Sequence, residues 1–523
     1  IILLAAAIGV AAQAANAENI LRRGNGSEPH SLDPQTAEGV PESNILRDLF
    51  EGLIGEDASG NLVPGVAEKW EISADGKTYT FHLRHNAKWS DGSPLTAHDF
   101  VYAWQRAVDP ATGSHYSFLL YPVKNAQKIA EGHEKDVNQL GVKATDDHTL
   151  VAELEGPTPY FLGLVTHATA YPAPKAAIEK HGKKWTRPEN LVSNGPFKLD
   201  SWQPNAQLVA VKSDQYWDKD AVKLDKVIYY PTENQTSDMN RYRAGEVDMT
   251  YEIPNDQIKM LRENFKDELK ISSYLGTYYY GFNLTRPPFK DNPKLREALT
   301  LAIDRDIITD KVTGAGEKPA YSFVAPGING YDNYVPEYAS LDKAARIEKA
   351  KKLYEEAGYS KDKPLKVDLL YNTSENHKKI AVAVAAMWKQ NLGVQTNLTN
   401  QEWKVFLATR TEKKQTEAFR AGWIGDYNDP YTFLELFQAK SGLNDSGYAN
   451  EKYDALLAQA GQEQDMAKRA AILKDAEKML TDDYPLAPIY SYVTKRLVKP
   501  YVKGYADENV MDHRSSKYMW IEK

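Results

Sequence analysis

Residues 420–430 read Arg-Ala-Gly-Trp-Ile-Gly-Asp-Tyr-Asn-Asp-Pro, an apolar, glycine-containing run with a cation at its start and an anion six residues on. If extended, the run puts Arg420, Gly422, Ile424 and Asp426 on one face, because side chains alternate along a strand. Six residues at about 3.3 Å each span roughly 20 Å. The inward reach of the two side chains leaves on the order of 10 Å between opposite charges, the separation of the terminal charges in an extended tripeptide. Gly422 and Gly425 would let another backbone lie alongside. The same spacing fits a buried strand whose charges pair with other protein groups. On spacing alone, a zwitterion site and a structural strand both stay open.

The elements that must position this run are strands and helices in alternation. Pro41 to Leu53, with Ile45, Leu46, Leu49 and Phe50, has the apolar spacing of a capped amphipathic helix. Thr78 to Arg84 alternates, with Tyr79, Phe81 and Leu83 on one face of a half-buried strand. A helix opens over Thr96 to Trp104, and strands are expected near 197–202, 207–212 and 227–230. In the second half, helices are expected over 342–357, ending at Gly358, over 377–391, apolar on most sides and so well buried, and over 465–480. This alternation predicts α/β lobes joined by short crossing strands.

At 523 residues the chain is too long for one compact domain and suggests two to four. With 32 tyrosines, 10 tryptophans and 42% hydrophobic residues, it reads as a large folded body with aromatic surfaces. A net charge of −8 without a long basic block argues against nucleic acid as a partner. Ile1 to Ala14 is apolar and leads into Ala15-Asn16-Ala17, so residues 1–17 read as a secretory signal peptide without its basic n-region. No later run of about 20 apolar residues suggests membrane insertion. The chain has no cysteine, hence no lipid-anchor thiol, disulfide or thiolate metal site. A freely diffusing, monomeric periplasmic protein without cofactor or metal is expected.

Enzyme signatures are missing: there is no Gly-x-Ser-x-Gly, His-Glu-x-x-His or Gly-x-x-x-x-Gly-Lys-Ser/Thr. The 11 histidines are scattered without ligand spacing. The enzyme alternative is a secreted glycoside hydrolase, since 72 carboxylates beside many aromatics could supply an acid/base pair and sugar platforms.

Several segments together carry a resemblance. They include Ser31-Leu-Asp-Pro34, Glu38-Gly-Val-Pro-Glu42, Pro64 to Trp70, Lys88-Trp-Ser-Asp-Gly92, Gly245-Glu-Val-Asp248, Thr277-Tyr-Tyr-Tyr280, Gln401-Glu-Trp-Lys404, Arg420 to Pro430 and Arg496 to Pro500. Over its whole mature length the chain resembles the extracytoplasmic peptide-binding proteins of ABC importers, the OppA-like oligopeptide-binding proteins of solute-binding family 5. The resemblance implies a three-lobed α/β periplasmic binding protein, type II-like with an extra lobe, enclosing its ligand between lobes I and III. It places lobe I at 18–50, 176–213 and 493–523, lobe II at 51–175 and lobe III at 214–492. It implies a peptide of about two to five residues held as an added strand, then handed to an inner-membrane ABC permease.

By the same resemblance Asp426 meets the peptide ammonium, and Arg420, His377 and Arg410 are the basic groups for its carboxylate. The segments around Val40 and around Gly422 and Trp423 are strand partners, while Glu38, Tyr116, Tyr279, Asn372 and Trp403 line the cavity. Three departures stand out. Gly276 and Ile424 occupy the positions of a frequent disulfide pair, Thr313 that of a lysine, and Gly281 that of an acidic pocket residue. Asn372 to Lys378 and Gly314 to Pro319 also resemble the murein-peptide-binding branch, which leaves cell-wall peptides as an alternative ligand.

Overall fold

The computed structural model describes residues 18–523 other than 329. The expected signal segment 1–17 lies outside the described residues. The chain builds an α/β body on three main sheets. The first is four-stranded, in the order Ile20–Gly26, Lys226–Pro231, Gln207–Lys212, Phe197–Gln203. The second, also four-stranded, runs Ala67–Ile72, Thr78–Leu83, Thr149–Glu153, Val142–Asp146. The third has six strands: Lys318–Pro319, Leu486–Leu497, Leu269–Phe282, Ala418–Ile424, Lys366–Asn372 and Gln395–Gln401.

Local chemistry accounts for the elements. In Thr78–Leu83 every second side chain is buried, and these are Tyr79, Phe81 and Leu83, as the alternation requires. Helix Ala97–Val108 starts at a capping box formed by Thr96 and Asp99. Helix Glu375–Leu392 is capped by Ser374, whose Oγ accepts the His377 N–H at 3.2 Å, and stops at Gly393 in the left-handed conformation. It is less wrapped than its composition suggests: Ile380, Val384 and Trp388 face the core, whereas Val382 is exposed. Helix Val40–Leu49 has no side-chain cap; Gly39, at φ 103°, turns the chain into it and Pro41 suits its first turn.

One expected boundary needs correction. Strand Lys226–Pro231 pairs in parallel with Ile20–Gly26 and antiparallel with Gln207–Lys212, so it belongs to the sheet of the N-terminal segment. A division at 213/214 would cut that sheet. Leu269–Phe282 and Leu486–Leu497, 14 and 12 residues long, pair along most of their length, and Met249 bridges Arg23 on one side and Val498 on the other.

Candidate functional site

The strand that carries the charged run has one open edge. Ala418–Ile424 pairs with Leu269–Phe282 along its whole length, from Phe282 opposite Ala418 to Gly276 opposite Ile424. On its other side it meets Lys366–Asn372 only at Ala418 and Phe419. From Arg420 onward the sheet splits. A cavity of about 250 Å³ borders the split and contains in its wall every residue singled out above for the site. An unpaired strand edge offers its N–H and C=O groups to an incoming extended chain.

Asp426 follows the end of this strand and is largely shielded from solvent, with 11% of its side chain exposed. Its backbone N–H donates to Thr432 Oγ1 at 3.0 Å, which fixes the turn that aims the carboxylate. Oδ2 is buried and accepts no hydrogen bond, and Oδ1 lies 3.6 Å from His167 Nε2. His167 supplies no countercharge, because burial pushes its imidazole down to about 3 and keeps it neutral. Burial likewise pushes the Asp426 carboxyl up to about 7, against the opposing pull of Arg47 and Tyr116. The carboxylate sits against an aromatic wall in which Tyr116 stacks on His167 at 4.6 Å and on Trp423 at 6.2 Å.

Arg420 occupies the other end of the run. Its Nη1 donates to Asn372 Oδ1 at 3.2 Å and its Nη2 to Tyr492 Oη at 2.7 Å, and the guanidinium lies 4.9 Å from the Tyr278 ring centre. All three partners are neutral, so the fixed charge is solvated by dipoles and a ring rather than by a carboxylate. His377 stands nearby with Nδ1 3.4 Å from Tyr278 Oη. Burial, helped by the charges of Arg420 and Lys495, holds His377 well below the usual imidazole range. It can therefore offer a hydrogen bond but not a positive charge.

The remaining residues divide by what they already hold. Arg410 lies in an ion pair with Asp445, at 2.5 Å, so its charge is satisfied within the protein. Glu38 is 3.2 Å from His115 Nδ1. Trp403 donates its indole N–H to Glu42 Oε1 at 3.3 Å and packs so close to Gly39 that a Cβ there would lie 2.7 Å from the ring. Tyr279 packs on Phe323 and Phe437. Val40 reaches the cavity from the first turn of a helix, not from a strand. It offers first-turn groups rather than a ladder edge, because Gly39 and Pro41 turn that segment helical.

The departures have physical explanations. Gly276 and Ile424 are direct register partners, and the Ile424 side chain covers Gly276, so apolar packing takes the place of a crosslink. The Phe419 ring lies over Gly281 and fills the space a side chain would need. Thr313 is buried, donates to Thr309 O at 3.2 Å and does not line the cavity. A Cβ on Gly422 would collide with the Tyr492 hydroxyl, so this glycine makes room for a partner of Arg420. Sequence reasoning missed Tyr492, Lys495 and Arg47, which also line the cavity, and His167, which stands beside Asp426. Lys495 carries a signal in its position, since it directly precedes Arg496 to Pro500.

The sequence pattern of bacterial extracellular solute-binding proteins, family 5 middle region, matches residues 61–445. The periplasmic oligopeptide-binding protein OppA of Salmonella typhimurium is 47% identical over 522 residues, covering 99% of this chain and 95% of its own length. A crystal structure of Haemophilus influenzae OppA in complex with the peptide RPPGFSPFR superposes with a TM-score of 0.94 at 43% identity, covering 97% of this chain and 99% of that one. The unliganded open form of the murein tripeptide-binding protein MppA, also 43% identical and covering 96% and 97%, gives 0.67. At equal identity, the arrangement described here is closer to that of the peptide complex than to that of the open form. The chain belongs to family 5 of the bacterial extracellular solute-binding proteins.

Proposed function

We propose that this chain is a periplasmic receptor that captures peptides of about two to five residues and delivers them to an inner-membrane ABC oligopeptide permease. One observation carries the reading. The open strand edge is bracketed by a half-buried carboxylate and a half-buried guanidinium, Asp426 and Arg420, and among the described residues neither has a charged partner within ion-pair distance, His167 beside Asp426 being neutral. An extended peptide has the complementary groups: a ladder of N–H and C=O, an ammonium and a carboxylate. Asp426 takes the ammonium and Arg420 the carboxylate, with Asn372 and Tyr492 orienting the guanidinium. Trp423, Gly422, Tyr116, Trp403, Glu38 and Tyr279 wall the side chains, and Arg410 and His377 contribute to longer ligands.

Main-chain pairing supplies affinity without reading sequence, so specificity is broad, and the carboxylates act in binding rather than in bond cleavage. Closure joins three lobes: 18–50, 176–231 and 493–523; 51–175; and 232–492. The segment 1–17 acts as the secretory signal, and the protein works in the periplasm.

Native mass spectrometry of the purified protein tests the function. A heterogeneous set of added masses at peptide values is expected. One added mass matching a muropeptide fragment would move the assignment to cell-wall peptides. Saccharide masses that disappear with turnover would overturn it in favour of a glycosidase.

A further inference from the structure

The loop that carries Asp426 has a second side: Tyr427, Asp429 and Tyr431, unlike Asp426, do not line the cavity. Gly425 still donates its N–H to Leu275 O, at 2.9 Å, but beyond it the hydrogen bonds turn local. Asp426 N–H reaches Thr432 Oγ1, Asp429 N–H reaches Tyr427 O at 2.9 Å, and Tyr431 N–H reaches Asp429 Oδ1 at 2.9 Å. These bonds fix the shape of the loop but not its place. Within its own lobe, Arg469 holds Asp429 through two hydrogen bonds, at 2.8 and 2.9 Å, and Tyr427 donates its hydroxyl to the buried Glu435 at 2.6 Å.

The other hold comes from the lobe at 51–175. There Phe161 is fully buried, with Tyr79 and Trp104 at ring distances of 4.7 and 6.2 Å, which roots its segment in that lobe's core. Tyr160, its neighbour, reaches across to the loop instead. Its ring stacks on Tyr427 at 4.8 Å with the planes 4° apart, and on Tyr431 at 5.2 Å and 22°. The Arg469 guanidinium lies 5.1 Å from the centre of the same ring. Farther along the segment, Gly163 permits a close approach, since a Cβ there would lie 3.2 Å from Tyr427 Cβ, and His167 comes to 3.6 Å from Asp426.

Ring pairs attract at centre distances of about 4.5–7 Å, and a cation near the ring face adds to the attraction. Tyr160 makes two such pairs and one such cation contact, all with a single lobe, that at 232–492. Both stacking partners flank the ammonium seat. Tyr427 directly follows Asp426, and Tyr431 directly precedes Thr432, whose hydroxyl accepts the Asp426 N–H. Withdrawing the Tyr160 ring would therefore release both sides of the turn that aims the carboxylate.

We propose that Tyr160 is a positioning residue for ammonium recognition: by clamping Tyr427 and Tyr431 it sets the Asp426 carboxylate in place when the lobes at 51–175 and 232–492 meet. The inference rests on the peptide-receptor reading above, with Asp426 as the ammonium seat. A seat completed by closure grips the peptide end while the lobes are together and loosens as they part. Tyr160 thus acts on dissociation more than on encounter.

Calorimetry and stopped-flow dissociation, on protein refolded to remove endogenous ligand, test it with Ala-Ala-Ala and its N-acetylated form. Y160L, which keeps apolar bulk but loses the stack, should weaken the free tripeptide by roughly tenfold, mainly through faster dissociation, and the N-acetylated form by about threefold or less. Y431A, which removes one partner of the stack from the other lobe, should shift the ratio of the two affinities in the same direction and by less. Y160F, which keeps the ring, should stay within about twofold of the original protein for both ligands. A ratio that stays within about twofold of the original in Y160L and Y431A alike, or a Y160F as weak as Y160L, would overturn the positioning role and leave peptide binding intact. An original protein that binds both forms equally well would overturn the ammonium seat at Asp426 and the inference with it.

Discussion

Asp426 and Arg420 stand six positions apart at one cavity, and the protein treats their charges in opposite ways. Asp426 sits half-buried beside a neutral imidazole, with one buried oxygen accepting nothing, and its carboxyl is pushed up to about 7. Arg420 is held by an amide oxygen, a phenol oxygen and an aromatic face. A carboxylate short of a partner can escape by taking a proton; a guanidinium cannot, and must be solvated by fixed dipoles. The anionic end is therefore adjustable and the cationic end permanent. Arg410 is a third case, a cation already neutralised by Asp445.

The largest effect should fall on the anionic end. Truncating one member of a buried, hydrogen-bonded charge pair costs about 2–5 kcal/mol, so Asp426→Ala should weaken tripeptide binding by roughly thirtyfold to several-thousandfold. Arg420→Ala should follow, at roughly tenfold to a hundredfold, because its hydrogen bonds to a carboxylate are worth about 1.5–3 kcal/mol and the neutral His377 can still donate one. Both are read by calorimetry. The Arg420→Ala loss should shrink for C-terminally amidated tripeptides.

A pH series sharpens the contrast. In the ligand-free protein the raised carboxyl means that ionising Asp426 opposes stability as pH rises from about 4 to about 7. A bound ammonium favours the ionised form and draws the value back down, so binding below pH 7 releases a proton. Affinity should then fall by close to tenfold per pH unit below about 7, and the proton release should appear as a buffer-dependent binding enthalpy. In Asp426→Asn this slope should vanish, since Arg420 does not titrate in the range.

Arg410→Ala should have the smallest effect on tripeptide affinity, under about tenfold, because Asp445 already uses the charge. It should instead lower thermal stability, as Asp445 is left buried without its cation. Differential scanning calorimetry beside the binding titration separates the two.

Much of this was legible in the sequence, for identifiable reasons. Alternation in Thr78–Leu83 and the limits of the helix expected over 377–391 are local signals, and the observed helix, Glu375–Leu392, departs from those limits by two residues at most. The face shared by Arg420, Gly422 and Ile424 followed from strand periodicity and appears as alternating burial. What escaped depends on tertiary neighbours. Nothing near Gly422 in sequence announces the Tyr492 hydroxyl, 70 residues on, for which it makes room. Strand Lys226–Pro231 joined the N-terminal sheet through a parallel pairing that no local pattern encodes. The charge states of His167 and His377 follow from burial, which composition does not report.

The central claim is that Asp426 is the seat of the peptide ammonium, and a double-mutant cycle tests it most directly. Calorimetry would compare the original protein and Asp426→Ala, each with a tripeptide and with its N-acetylated form. N-acetylation should cost the original protein about 2–5 kcal/mol and add less than about 1 kcal/mol in the variant, since one interaction is removed twice. Losses that add to within about 0.5 kcal/mol would mean the two groups do not meet. Asp426 would then be a structural carboxylate and the ammonium would bind elsewhere.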